Sequence, residues 1–361
     1  MSLTAPPLTI PTASAPTDRA PPARVALGWA SHTRDLPRVA RTISCDARPG
    51  PGSGEANLEH VVSDAGALAL PKETVLARLA AYVALTKPRI VELLLVTTVP
   101  TMVVAAGGWP ATATVVATVA GGTLAAGGAN AANMYLDRDI DAIMRRTAHR
   151  PLVTGAVSAK AALSFAVVLE VAAFVLLWAA VNPLSAGLAL VAALFYVLVY
   201  TLLLKRSSKQ NIVIGGAAGA VPVLVGWAAV RGNLGWAPVV LFALVFLWTP
   251  PHFWALAIRY RDDYAAAQVP MMPVVDSFRR TAGQILAYAW ATVGASVAFG
   301  LVAHMHWLYW AGAAASGAGF VFLAARLYRA PAPPVAMKVF HWSITYLSLL
   351  FVVMALDVLV R

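Results

Sequence analysis

Asn133, Asp137 and Asp141 stand four residues apart in the run Asn133-Met-Tyr-Leu-Asp137-Arg-Asp139-Ile-Asp141. On a helix that spacing stacks the three side chains on one face, one per turn, with Asp139 off the face. All three offer oxygen. Mg²⁺ takes oxygen ligands and commonly shares itself with substrate phosphates. The run follows an apolar segment long enough to cross a bilayer. An oxygen-lined cradle at a membrane surface points to chemistry on a diphosphate whose other end is apolar. A second acidic cluster, Arg259-Tyr260-Arg261-Asp262-Asp263-Tyr264, follows a later apolar segment in the same way. Two such clusters facing one cavity can hold Mg²⁺ and a diphosphate between them, because the metals reverse the sign of the carboxylate field. Cations for the phosphate oxygens are at hand. Arg146 and Arg150 lie just past the first motif, and Lys205 and Arg206 close the run Tyr200-Thr-Leu-Leu-Leu-Lys205-Arg206 ahead of Asn211. Arginine binds phosphate as a planar fork and lysine as a point charge.

The elements that must carry these groups are membrane helices. Of 361 residues 60% are hydrophobic and 12% charged, with mean hydropathy +0.72. That is about half the charged fraction of a soluble domain. Nine segments have the length a bilayer requires: about 90–107, 111–133, 159–180, 184–203, 211–230, 236–258, 281–303, 306–327 and 340–360. The expected fold is therefore all-α, a polytopic bundle of nine transmembrane helices. Glycine clusters such as Gly121-Gly122 and Gly215-Gly216 fit close helix packing in lipid.

Basic residues crowd the loops after the second, fourth, sixth and eighth segments, whereas only Arg231 and Arg361 fall on the opposite side. The positive-inside rule puts the crowded loops, both acidic motifs and the N-terminus in the cytoplasm, with the C-terminus outside. The net charge of +11 is thereby accounted for without nucleic acid. An even number of spans separates the two motifs, which suggests two halves of like orientation.

Residues 1–75 read as a disordered N-terminal extension and 76–361 as the membrane domain. The Arg-rich, acid-poor start fits an organelle transit peptide, and equally the Ala/Pro/Arg bias of a GC-rich genome. A bacterial plasma membrane is the expectation. The one cysteine, Cys45, permits neither an intramolecular disulfide nor a cysteine metal site. His252, after Pro250-Pro251, fits three roles: haem-iron ligand, proton carrier, or hydrogen-bond donor to backbone freed by the prolines. His304 and His306, beside Trp307 and Trp310, read as interfacial. Glu92, Glu170 and Asp357 fall in or near spans and receive no role from the sequence.

The block Asn133–Asp141, running into Met144-Arg-Arg-Thr147 and Arg150-Pro-Leu152, resembles the intramembrane prenyltransferases of the ubiquinone-biosynthesis type. Leu85-Thr-Lys-Pro-Arg89, Asn211-Ile-Val-Ile-Gly-Gly216 and Thr249-Pro-Pro-His252 extend the resemblance over about residues 80–361. The second motif departs from the family's longer acidic pattern, roughly Asp-x-x-x-Ala-x-x-Asp-x-x-Asp-Asp: His252 and Arg259 replace the leading acids. That departure is similar to the haem-farnesylating branch, whose members make haem O. The resemblance implies farnesyl diphosphate and haem B as substrates. It implies Mg²⁺ held by Asn133, Asp137, Asp141 and Asp262, with Asp137, Asp141, Lys205 and Arg206 as catalytic groups. Arg146, Arg150, Tyr200, His252 and Asp263 become substrate-binding residues. A haem A synthase or an oxidase-assembly factor becomes a possible partner. Other readings stay open: a prenyltransferase for a quinone or chlorophyll precursor, a haem-binding electron-transfer protein, and a transporter of a phosphorylated solute.

Overall fold

Proline, glycine and short polar turns divide the chain into helices, and among the described residues, 74–361 of the computed structural model, no strand interrupts them. Residues 1–73, with Cys45 and almost all of the expected disordered extension, lie outside the described residues.

Nine of the helices are long and apolar enough to span a bilayer: α2 (Pro88–Ala106), α3 (Thr112–Ile143), α4 (Ala159–Ala180), α5 (Pro183–Leu204), α6 (Asn211–Arg231), α7 (Trp236–Arg259), α10 (Phe278–Val302), α11 (Trp307–Arg329) and α12 (Pro333–Leu359). Each matches one of the nine expected segments. Three shorter helices accompany them: α1 (Val75–Thr86), α8 (Arg261–Ala266) and α9 (Met272–Val275). Exposed valines on α4, namely Val167, Val168, Val171 and Val175, mark a face suited to lipid.

The boundaries that moved have local causes. Helix α3 does not stop near residue 133 but runs on through the acidic motif to Ile143. Its 32 residues rise about 48 Å, more than the ~30 Å of hydrocarbon, and the surplus carries the acids. Helix α12 starts at Pro333 rather than near 340, because proline is well placed in a helix's first turn. Helix α1 was not among the expected segments. Twelve residues are too few to cross a bilayer. One face of α1 packs on α3 and α4 through Leu85, Ala131, Met134, Ala162 and Ala166. Its other face leaves Val75, Leu79 and Val83 exposed at four-residue spacing, the stripe of a helix lying along a membrane surface.

Small residues set the helix spacing, as the glycine clusters predict. A Cβ at Gly121 would strike Leu177, one at Gly215 would strike Tyr200, and one at Gly226 would meet the Thr98 carbonyl oxygen. Gly122 and Gly219, by contrast, face open space.

Ion pairs draw the basic loops to one end of the bundle. Asp263 of α8 pairs with Arg145 beyond α3 (3.2 Å), and Asp276 before α10 pairs with Lys209 beyond α5 (3.9 Å). At the opposite end Asp357 of α12 is buried. It accepts the backbone N–H of His306 (2.8 Å) and of Tyr309 (3.1 Å), capping the start of α11, and it pairs with Arg361. Asp357 is thus a tie between helices. Glu92 is exposed near the start of α2. Glu170 packs against Gly128, with both carboxylate oxygens buried and without a hydrogen-bond partner among the described residues.

Candidate active site

The last three turns of α3 bury Asn133, Asp137 and Asp141 almost completely. Four-residue spacing does what the sequence predicts: it brings the three onto one face. Asn133 Nδ2 donates to Asp137 Oδ2 (2.7 Å) and to Thr201 Oγ1 (3.1 Å). Lys205 pairs with Asp137, and Arg150 Nη1 reaches Asp141 Oδ2 at 2.5 Å. Thr147 Oγ1 donates to the Asp141 carbonyl oxygen (3.0 Å), holding the turn that swings Arg150 back over the helix end.

The opposing wall is the second half of α5. Residues Phe195–Leu204 are wound as a π-helix, visible in the i→i−5 bond from Lys205 N to Tyr200 O (2.8 Å). Wide turns of this kind gather at functional sites. Here the winding puts Thr201 and Lys205 on the α3 acids. It also buries Tyr200 against Gly215 and stacks it on Tyr196, ring centroids 5.4 Å apart. Arg206 takes a different place from the other cations. Its guanidinium grips Asp139 with two contacts of 2.6 Å and the Leu136 carbonyl oxygen, and stands 3.9 Å from Asp137. It sits at the rim.

Lys87, absent from the expected site residues, completes the cluster. It is the only residue between α1 and α2 and adopts a left-handed backbone (φ 53°). Its Nζ reaches Asn133 Oδ1 at 2.6 Å. Thr86 is held alongside, its carbonyl accepting from Asn130 Nδ2 (3.0 Å). Burial, reinforced by the nearby Arg150 and Lys205 charges, pulls the Lys87 ammonium down to a pKa of about 7 against the pull of Asp137 and Asp141. A basic residue directly ahead of a helix-starting proline is the signal that could have found it.

The second motif is built differently. Helix α7 ends at Arg259, and the acids sit on α8. Asp263 is buried and accepts from Arg145 Nε and the Arg146 backbone N–H, both at 3.2 Å. Asp262, expected as the metal ligand, is exposed. It lines a cavity of about 970 Å³ together with Arg145, Arg146, Arg259 and Arg261. Arg146 lies over the Tyr260 ring and reaches the Tyr264 hydroxyl at 3.5 Å. Burial pushes the Tyr264 phenol above its ordinary pKa.

Among the described residues no three of His, Cys, Asp and Glu converge tightly enough to enclose a metal by themselves. The α3 face nonetheless suits Mg²⁺. Its donors are all oxygens, and Asp137 Oδ1 is buried without a hydrogen-bond partner.

Residues 94–349 match the model of the UbiA prenyltransferase family. The chain belongs to that family. Among curated UbiA relatives, the protoheme IX farnesyltransferase of Clavibacter michiganensis is 54% identical over 77% of this chain and 92% of its own length. The protoheme IX farnesyltransferase of Streptomyces avermitilis is 50% identical over 79% and 95%. Solved structures share the UbiA fold at lower identity. A study of digeranylgeranylglyceryl phosphate synthase supplies one with TM-score 0.65 and 16% identity, covering 79% of this chain and 99% of that one. A UbiA homolog from Archaeoglobus fulgidus bound to GPP and Mg²⁺ aligns with TM-score 0.54 and 16% identity over 76% and 99%.

The remaining expected residue of this UbiA chain, His252, lies seven residues before the end of α7 and makes no hydrogen bond to the acids. Its ring lies between Trp248 and Phe340, at centroid distances of 4.3 and 4.7 Å.

Proposed function

We propose that this enzyme transfers the farnesyl group of farnesyl diphosphate to a vinyl group of haem B, with addition of water, giving haem O and diphosphate. The observation that carries the reading is the unequal equipment of the two poles. One holds buried oxygens ringed by lysine and arginine, suited to a diphosphate. The other carries an aromatic-stacked histidine where the wider family carries acids. The half-identical relatives, which are protoheme IX farnesyltransferases, support haem as the acceptor.

Asn133, Asp137 and Asp141 would hold Mg²⁺, with Asp262 facing the same end from the cavity wall. Bound Mg²⁺ neutralises a diphosphate and makes it a better leaving group. Lys205 and Arg150 could exchange carboxylate oxygens, and Lys87 the Asn133 amide oxygen, for phosphate oxygens. Arg206 and Arg146 add positive charge at the rim. Fixed cations aimed at the departing diphosphate favour cleavage of the allylic C–O bond, because the charge they meet grows as the bond breaks. The haem vinyl attacks the resulting cation, water takes up the positive charge left on the haem side, and the added water loses a proton. Tyr200 and Tyr196, packed beside the acids, keep stray water from the farnesyl cation. Asp263 fixes Arg145 and Arg146, so its part in substrate binding is to hold the arginines that meet the substrate. The basic end faces the cytoplasm of a bacterial plasma membrane, as the loop charges favour.

The test is haem analysis after expression in cells that make only haem B. A new haem heavier by a farnesyl group plus water, resolved by reversed-phase chromatography and mass spectrometry, is expected. Haem B alone, from well-inserted protein supplied with Mg²⁺ and farnesyl diphosphate, would move the acceptor to a quinone or chlorophyll precursor.

A further inference from the structure

His252 is tied to one residue of α12. Its Nδ1 lies 2.8 Å from Ser343 Oγ. A serine hydroxyl has one proton to give. Ser343 Oγ also lies 2.7 Å from the Phe340 carbonyl oxygen, which can only accept, so both contacts are hydrogen bonds at once only when the serine proton goes to the carbonyl. In that doubly satisfied arrangement the proton between Ser343 and His252 belongs to the imidazole. Nδ1 carries the hydrogen, and in the neutral ring Nε2 carries the lone pair.

The surroundings leave that lone pair available. Trp248 covers one face of the ring and Phe340 the other, and Ser343 takes the Nδ1 edge. The residue is nevertheless not fully buried, and Nε2 makes no hydrogen bond among the described residues. With both faces and the Nδ1 edge engaged, Nε2 is the ring nitrogen left without a protein partner. Iron-binding histidines are held in this way: the far ring nitrogen donates to a fixed acceptor, which sets the tautomer and aims the lone pair.

We infer that Ser343 is a positioning residue for the acceptor. By accepting the Nδ1 proton of His252, it presents Nε2 to the iron of an incoming haem. The inference rests on the haem reading above and deepens it. Ser343 is fully buried, and its backbone carbonyl separately accepts from Trp248 Nε1 at 2.8 Å. Ser343→Ala removes the imidazole's acceptor and leaves the Trp248 tie in place. The two roles of the residue can thus be separated.

The experiment titrates ferric protohaem IX, without farnesyl diphosphate, into the full chain in detergent. It follows the Soret band and, after reduction, the iron–imidazole stretching frequency. Mg²⁺-dependent farnesyl diphosphate binding serves as the check on folding. The wild type is expected to show histidine ligation, and His252→Ala to lose it. Ser343→Ala and Ser343→Gly are expected to bind haem about 10–100-fold more weakly, the usual loss when such a partner is removed. The stretch should also fall, because the imidazole no longer donates. Ser343→Thr should restore both. Wild-type affinity and frequency in Ser343→Ala, or histidine ligation surviving in His252→Ala, would overturn the inference. Haem O made by a wild type without histidine ligation would overturn it alone. A wild type that neither binds haem nor makes haem O would overturn the haem reading itself.

Discussion

The ends of α3 and α7 each lead into an acidic motif, yet they are equipped differently. Helix α3 continues past its apolar stretch and buries three oxygen-bearing side chains among Lys87, Arg150 and Lys205. Helix α7 stops at Arg259 and leaves the acids to a six-residue helix, where Asp263 is buried and Asp262 exposed. Its own length carries two adjacent prolines and His252. On the proposed reading, the first end serves the diphosphate and the second, with an imidazole between aromatic rings, serves a flat acceptor.

The sharpest way to break this division is Asp137→Asn. Turnover is expected to fall by about a thousandfold or more, the scale of losing a main electrostatic group at a reacting centre. Haem binding should persist, since His252 is elsewhere. A spectroscopic haem titration beside a turnover assay checks both, and equal loss of the two would mean that the poles are not separate. The same change strands Lys205, and breaking a buried pair costs about 3–5 kcal/mol. Thermal unfolding should therefore register it.

Next in size is Lys87→Ala. A loss of about a hundredfold in kcat/KM for farnesyl diphosphate is expected, near the lower range for removing one charge-stabilising donor. Normal kinetics would reduce Lys87 to a structural joint. Asp263→Asn should cost about tenfold, because a charged partner of the Arg145–Arg146 turn worth about 1.5–3 kcal/mol is weakened. Asp262→Asn serves as its comparison. A larger effect from Asp262 would favour it over Asp263 as the residue that meets the metal. Asp139→Ala should be the mildest, within about 1 kcal/mol of stability, since its pair with Arg206 is largely exposed.

Much of this arrangement was legible in the sequence, for reasons that differ by residue. Nine apolar stretches and one four-residue acidic period are strong signals, because the bilayer fixes the first and helix geometry the second. Lys87 was hidden because its stretch, Leu85–Arg89, shows no spacing that assigns it a role; a left-handed joint brings it to Asn133 across 46 residues of chain. Helix α1 was hidden because twelve apolar-rich residues are too few to register as a span. The choice between Asp262 and Asp263 turned on which side of a single helical turn met Arg145, and adjacent identical residues carry no mark of that.

The wide winding of α5 has a consequence for how the enzyme tolerates changes in length. Lys205 meets Asp137 because ten consecutive residues advance in turns of unusual breadth. Removing one residue between 195 and 204 would let the segment relax to ordinary α-helix without breaking the span. Each residue of an α-helix turns about 100°, so the lysine would swing off the acids while every side chain of the site kept its identity. Substitution scans would never find this weakness. In chimeras with relatives, the count of residues across this stretch is as much a part of the catalytic machinery as the residues themselves.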